Sequence, residues 1–255
     1  MEIQDRLNKI INSTRANSSH QNAQIQTCLI KYDCNICKSG NGWIVDIETN
    51  TAKKCKCLEG KIYKEILDKC GISEAFLKKT LDNYNINNKR QQEAKKVAKE
   101  YIEVFDSIRS TPYNSICFLG QVGSGKTHLS IAIVNELMKQ NVGVRYMQYR
   151  EAIMKLKQNV MDQEDYTREM NKYKSAPVLL IDDLYKGKKQ GDADNNLVYE
   201  IVNYRYLKQL PMIISSEFTT DKLLSFDEAI GSRIIEMCKG RVIELTGEDL
   251  NFRLR

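Results

Sequence analysis

The chain has 255 residues, 42% of them apolar and 28% charged, with a formal charge of +6. That is enough chain for one large α/β domain plus something small, and enough apolar content for a substantial core. No stretch approaches about 18 uncharged apolar residues, and the amino terminus lacks the basic-apolar-small pattern of an export signal, so no membrane partner is expected and the protein reads as cytoplasmic.

Residues 1 to 12 place Ile3, Leu7, Ile10 and Ile11 on one helical face, and the Ser-, Asn- and Gln-rich residues 13 to 26 read as a tether. Eight cysteines in a chain of this kind argue against disulfides. Cys34 and Cys37, then Cys55 and Cys57, form two close pairs that a β-hairpin between them would bring together, offering four thiolates in the tetrahedral arrangement of a closed structural Zn²⁺ site. Cys28 or His20 is the substitute ligand. C-x-x-C alone also fits redox chemistry, but the βαβ context which that requires is missing.

Beyond the cysteines, Ile62, Ile66 and Leu67, then Ala75 to Leu81, then Ala94 to Ile108 read as helices, with a break at Tyr84. A domain boundary near 70 to 85 follows, dividing the chain into an amino-terminal module of residues 1–75 and a larger domain of residues 76–255. Lys78, Lys79, Lys89, Arg90, Lys95, Lys96 and Lys99 stand against only Asp82 and Glu93, either a solvated helix face or a nucleic-acid surface.

The stretch from Ser115 to Leu137 is a short apolar strand, a loop with three glycines, and a mostly buried helix. Gly120, Gln121, Val122, Gly123, Ser124, Gly125, Lys126 and Thr127 satisfy G-x-x-x-x-G-K-[ST], and His128 lies in the first turn of the helix. Glycines let backbone N–H groups turn inward around phosphate oxygens, because a Cβ would obstruct both the φ angles and the approach. The helix then presents its unpaired amides to the phosphates. Lys126 is expected to neutralise the β and γ phosphates of ATP, and the Thr127 hydroxyl to bind Mg²⁺.

The three prolines, Pro112, Pro177 and Pro211, each precede an apolar run that reads as a buried strand: 116–119, 178–181 and 212–214. Two more strands are expected at 142–147 and 242–245, with helices at 127–139, 150–173, 194–208 and 227–238 between them. The pattern is a five-stranded parallel sheet covered on both faces. The strand at 178 ends in Asp182 and Asp183, which puts two carboxylates at the sheet's carboxyl edge beside the loop. Asp182 is expected to hold Mg²⁺, and Asp183 to orient or deprotonate the attacking water.

The phosphate loop, L-L-I-D-D, P-M-I-I-S-S-E and A-I-G-S-R-I-I-E, in this order and spacing, resemble the AAA+ ATPases of the DnaC/DnaI helicase-loader group, including their phage-encoded relatives. The cysteine pairs ahead of G-I-S-E-A-F-L-K-K-T-L-D-N-Y resemble the zinc-bearing front end of the DnaI-like branch. The resemblance implies an AAA+ P-loop fold behind a small zinc-binding domain. It implies slow ATP hydrolysis stimulated by a partner, self-association through the ATP site, and delivery of a hexameric replicative helicase onto single-stranded DNA. It makes Arg233 an arginine finger reaching a neighbouring subunit's ATP, Arg253 a second-sensor arginine, and Ser216 with Glu217 the first-sensor strand end. Many relatives read Ser-Asn there, so Glu217 is a departure, and an acid beside the γ-phosphate needs a cation or an outward rotamer. Asp183 stands where most AAA+ proteins have Glu, which points to slow turnover.

A track for single-stranded DNA needs basic residues with aromatic stacking; Tyr149, Arg150, Tyr185, Lys186, Lys188 and Lys189 are the candidates, and Arg205 serves either DNA or a subunit interface. Competing readings are an IstB-type transposition helper ATPase, which generally lacks the zinc module, a small-molecule kinase, for which no arginine-rich lid is present, and a nucleotide switch without useful turnover.

Overall fold

The structure is a computed structural model, and it describes residues 43–46, 51–54, 78–187, 192–247 and 250–252. The chain divides into two compact units, Met1–Lys54 and Cys55–Arg255. In the first, β1 (Trp43–Asp46) and β2 (Thr51–Lys54) pair antiparallel, with Trp43 opposite Lys54 and Asp46 opposite Thr51. A hairpin therefore lies between the two cysteine pairs, as expected. The residues proposed as zinc ligands, the helices expected at 1–12 and 62–67 and the tether at 13–26 lie outside the described residues.

In the second unit, β3 (Ile116–Gly120), β4 (Val144–Gln148), β5 (Val178–Leu184), β6 (Met212–Ser216) and β7 (Val242–Leu245) form one sheet in the order β4-β5-β6-β3-β7, every pair parallel. α1 (Lys89–Ile108) precedes the sheet; parallel strands need crossovers, and here they are the helices α2 (Lys126–Lys139), α3 (Tyr149–Gln158), α4 (Gln163–Lys174), α5 (Asp192–Leu207), α6 (Thr220–Phe226) and α7 (Glu228–Met237). The central strands are buried along their length, and alternate residues feed two separate cores. Ile116, Phe118, Leu180 and Ile213 pack under α1 and α2. Cys117, Leu119, Ile181 and Ile214 pack under α3 to α7. A sheet covered on both faces must be apolar on both, which is why these strands read as continuous apolar runs.

Local chemistry moved several boundaries. The helix expected over 75–81 is a turn in its described part: Thr80 N–H donates to Asn83 Oδ1 and Asn83 N–H to Thr80 Oγ1, an exchange that satisfies the backbone without a helix. The single helix expected over 150–173 is two, because the Asp162 carboxylate accepts from the N–H groups of Glu164 and Asp165 and starts α4 afresh. β4 begins at Val144 and not at 142, since Asn141 adopts φ 62° and Val142 N–H donates to Leu137 O, closing α2. On α1 the basic stretch at 78–99 makes two exposed ion pairs, with Lys96 3.7 Å from Glu100 and Lys99 3.8 Å from Glu103.

Candidate active site

The loop between β3 and α2 is shaped by three glycines with positive φ: Gly120 at 112°, Gly123 at 73° and Gly125 at 93°. A Cβ on Gly120 would lie 2.3 Å from the Leu245 carbonyl oxygen, and one on Gly125 would lie 2.6 Å from the Tyr84 ring. Neither position admits another residue. Inside the loop the Lys126 ammonium is buried and donates to the carbonyls of Gly120 (2.8 Å) and Gln121 (2.6 Å). Burial pulls its pKa down to about 8, against the pull of Asp183 and Glu217 in the other direction.

Thr127 and Asp182 come from α2 and β5, 55 residues apart in sequence, and meet at the loop: the Thr127 hydroxyl donates to Asp182 Oδ1 at 2.9 Å. The same oxygen accepts from Ser215 Oγ at 2.5 Å, and Oδ2 accepts from the Tyr146 hydroxyl at 3.1 Å. A hydroxyl and an oriented carboxylate suit Mg²⁺, which takes one or two protein oxygens and completes its shell with phosphate oxygens and water. Among the described residues no group of three or more His, Cys, Asp or Glu side chains is gathered as a metal cluster.

Asp183 lies beyond Asp182 with a left-handed backbone, φ 58°, its N–H donating to Ser215 Oγ at 2.9 Å. Its Oδ2 accepts from Lys186 Nζ at 2.7 Å, and Lys186 Nζ is also 3.3 Å from Glu217 Oε1. The cation that an acid at this strand end needs is thus supplied by Lys186. Ser216 donates its hydroxyl to the Leu184 carbonyl at 2.7 Å and is buried; Glu217, not Ser216, lines the cavity over the loop. Ser215, given no role from the sequence, is the hydroxyl that holds the acidic pair.

That cavity, of about 300 Å³, runs from the loop to a wall formed by Asn83, Tyr84, Asn85 and Phe252. Sequence reasoning missed this wall. The Tyr84 hydroxyl donates to Ser124 O at 3.3 Å and its ring stands edge-on to His128. His128 Nε2 lies 2.9 Å from Thr80 O and 3.0 Å from Asn83 Oδ1, so the imidazole anchors the 80–83 turn onto α2. From the other end of the chain, Phe252 N–H donates to Gly123 O at 3.1 Å. Arg253 lies outside the described residues.

Arg233, on α7, does not line the cavity. Its guanidinium donates to Asn203 Oδ1 at 3.1 Å and Ala229 O at 2.7 Å, and lies 5.3 Å and 5.5 Å from the ring centroids of Tyr199 and Tyr206. Three residues expected at DNA or subunit contacts, Tyr149, Tyr185 and Arg205, are buried instead. Tyr149 and Tyr185 are fully buried and pack edge to face at 5.6 Å, so neither ring is open for stacking. Arg205 is fully buried too, donating to the carbonyls of Tyr173, Lys174, Ala176 and Pro211. Lys186 is engaged in the cavity. Arg150 is exposed, and Lys188 and Lys189 lie outside the described residues.

Three comparisons bear on this geometry. A sequence profile of the family described as IstB-like ATP binding protein matches residues 66–253. The chain is 37% identical over 236 residues to the phage-like element PBSX protein XkdC of Bacillus subtilis (strain 168), spanning 88% of this chain and 87% of that protein. It is 23% identical over 184 residues to the replicative helicase loader DnaI of the same organism, spanning 72% of this chain and 58% of the loader. Among solved structures, one described as the crystal structure of the DnaI superposes with a TM-score of 0.60 at 25% identity, covering 69% of this chain and 95% of that one.

Proposed function

We propose, on the premise that the chain belongs to the family of IstB-like ATP binding proteins, that it is an AAA+ ATPase which loads a hexameric replicative helicase onto single-stranded DNA. The observation that carries the nucleotide part is the meeting of Thr127 and Asp182 at 2.9 Å over a glycine loop that holds the buried Lys126. ATP suits the loop: its turned backbone is possible only because Gly120, Gly123 and Gly125, all at positive φ, carry no Cβ to meet Leu245, Asn251 and Tyr84. Mg²⁺, held by Thr127 and Asp182, would neutralise charge on the β and γ phosphates. Lys126 binds phosphate, Asp183 takes the attacking water's proton or orients it, and Asn83, Tyr84 and Phe252 enclose the rest of the nucleotide.

Arg233 does not line its own cavity, which agrees with a finger given to a neighbouring subunit; such a finger contributes on the order of a thousandfold or more to phosphoryl transfer. Cys34, Cys37, Cys55 and Cys57 would hold Zn²⁺ as a structural clamp on the helicase-binding module, residues 1–75. The helicase partner rests on the similarity to DnaI and on the cysteine pattern.

The test measures ATP turnover with and without helicase and single-stranded DNA, beside capture of helicase from solution. Turnover is expected to depend on those partners, Lys126→Ala to lose both nucleotide binding and loading, and Arg233→Ala to lose turnover while keeping nucleotide. A Lys126→Ala protein that still loads helicase sinks the proposal. The second reading, a transposition helper, is favoured by the family's description; a protein that ignores hexameric helicase but is stimulated by a transposase and duplex DNA would establish it.

A further inference from the structure

The end of β5 and the turn after it carry two non-glycine residues in left-handed backbone, Asp183 at φ 58° and Tyr185 at φ 62°. Such backbone is strained for a residue with a Cβ and persists only where its surroundings over-determine it. Here they do: the buried Tyr185 ring stacks on Phe218 at 5.8 Å and meets Phe226 at 4.5 Å, and Lys186 N–H closes the turn onto Asp183 O at 3.0 Å. The result is that Lys186 enters the cavity wall beside Lys126 and Thr127. Stacking of Tyr185 on Phe218 also fixes the Lys186 segment against the Glu217 segment. A stabilising surface ion pair needs none of this; any exposed lysine on the turn could make one.

Charge and donor count then say what the ammonium is for. The cavity is lined by Asp183 and Glu217 and by Lys79, Lys126 and Lys186, with Lys186 between the two acids, and Asp182 meets Thr127 beside it. Without Lys186 the terminal part of the cavity would present two uncompensated acids to a polyanion. An ammonium has three donors. Asp183 Oδ2 at 2.7 Å and Glu217 Oε1 at 3.3 Å take two of them, which leaves the third for an oxygen of the ligand. The loop wraps the inner phosphates, so groups on the ends of the neighbouring strands β5 and β6 meet the outermost one.

We infer that Lys186 is a second phosphate-binding lysine, which contacts the terminal phosphate of a nucleoside triphosphate and so distinguishes triphosphate from diphosphate, with Glu217 as its positioning residue. This rests on reading the cavity as a nucleotide site. Glu217 then has a use at a strand end where an acid otherwise works against phosphate: it aims the ammonium that does the sensing.

The test titrates the full chain and its Lys186→Ala, Lys186→Arg and Glu217→Gln variants with a fluorescent non-hydrolysable ATP analogue and with fluorescent ADP, both with Mg²⁺. Lys186→Ala should lose about tenfold or more in triphosphate affinity, as expected for truncating a charged hydrogen-bonding group, while ADP affinity changes less than about twofold. Lys186→Arg should recover most of the loss, and Glu217→Gln should fall between. Equal losses for the two nucleotides, or none, overturn the inference. Faster turnover with unchanged triphosphate affinity overturns it too, since Lys186 would then only restrain Asp183. A wild-type protein that binds neither nucleotide overturns both the inference and the nucleotide reading beneath it.

Discussion

Lys126 carries a prediction of its own, because its environment sets when it is charged. Burial lowers its pKa to about 8, so the free protein loses the ammonium as pH rises through that value. A bound triphosphate favours the charged form and raises the pKa again. The complex therefore holds a proton which the free protein has begun to release, and affinity must fall with rising pH above about 8. Between pH 7 and 9 the loss should be roughly tenfold, measured by nucleotide titration at fixed Mg²⁺. A flat profile would mean that the ammonium does not bind phosphate. Its neighbours show how a residue's role depends on what surrounds it. Ser215 and Ser216 are adjacent in sequence, yet Ser215 holds Asp182 and the Asp183 N–H while Ser216 bonds to the Leu184 carbonyl. Alternation along a strand sends them to different places, and nothing in the pair of serines says which is which.

Among the elements, Arg205 on α5 holds together pieces that the hydrophobic pattern leaves unjoined. Its guanidinium bonds the last carbonyls of α4 and the carbonyl of Pro211 at the entry to β6. Burial lowers its pKa to about 9, and the guanidinium donates to four backbone carbonyls in all. Arg205→Met removes the guanidinium from all four, leaving only the Pro211 carbonyl its bond from Leu179 N–H, and should cost about 3 kcal/mol, lowering Tm by roughly 6–12 °C in a domain of this size. Calorimetry would show it, and a drop under about 2 °C would mean that water replaces the guanidinium without penalty. The neighbouring helix break has a simpler origin. Asp162 caps α4 through its own side chain, a signal present in the sequence but submerged in a long run of helix-forming residues.

At the scale of the whole molecule, the proposed metal site is a separate question from the cavity, since none of Cys34, Cys37, Cys55 and Cys57 belongs to the strands and helices that build the five-stranded sheet. Elemental analysis is expected to find about one zinc per chain, and chelation or Cys37→Ser should open the amino-terminal module to protease while the melting of the five-stranded sheet stays put. A metal-free protein whose amino-terminal module resists protease would contradict the cysteine assignment. What the sequence determined by itself is the parallel sheet, its strands within a few residues, and the positions of Lys126, Thr127, Asp182 and Asp183, because apolar runs bounded by proline and a glycine loop ahead of a helix are local patterns. What only the tertiary structure decided is which distant segments share the cavity. Asn83, Tyr84 and Phe252 reach the loop from opposite ends of the chain, and Tyr149, Tyr185 and Arg205 vanish into the core although their composition reads as surface. The cause is physical: burial and long-range hydrogen bonds depend on where the chain returns in space, and spacing along it carries no record of that return.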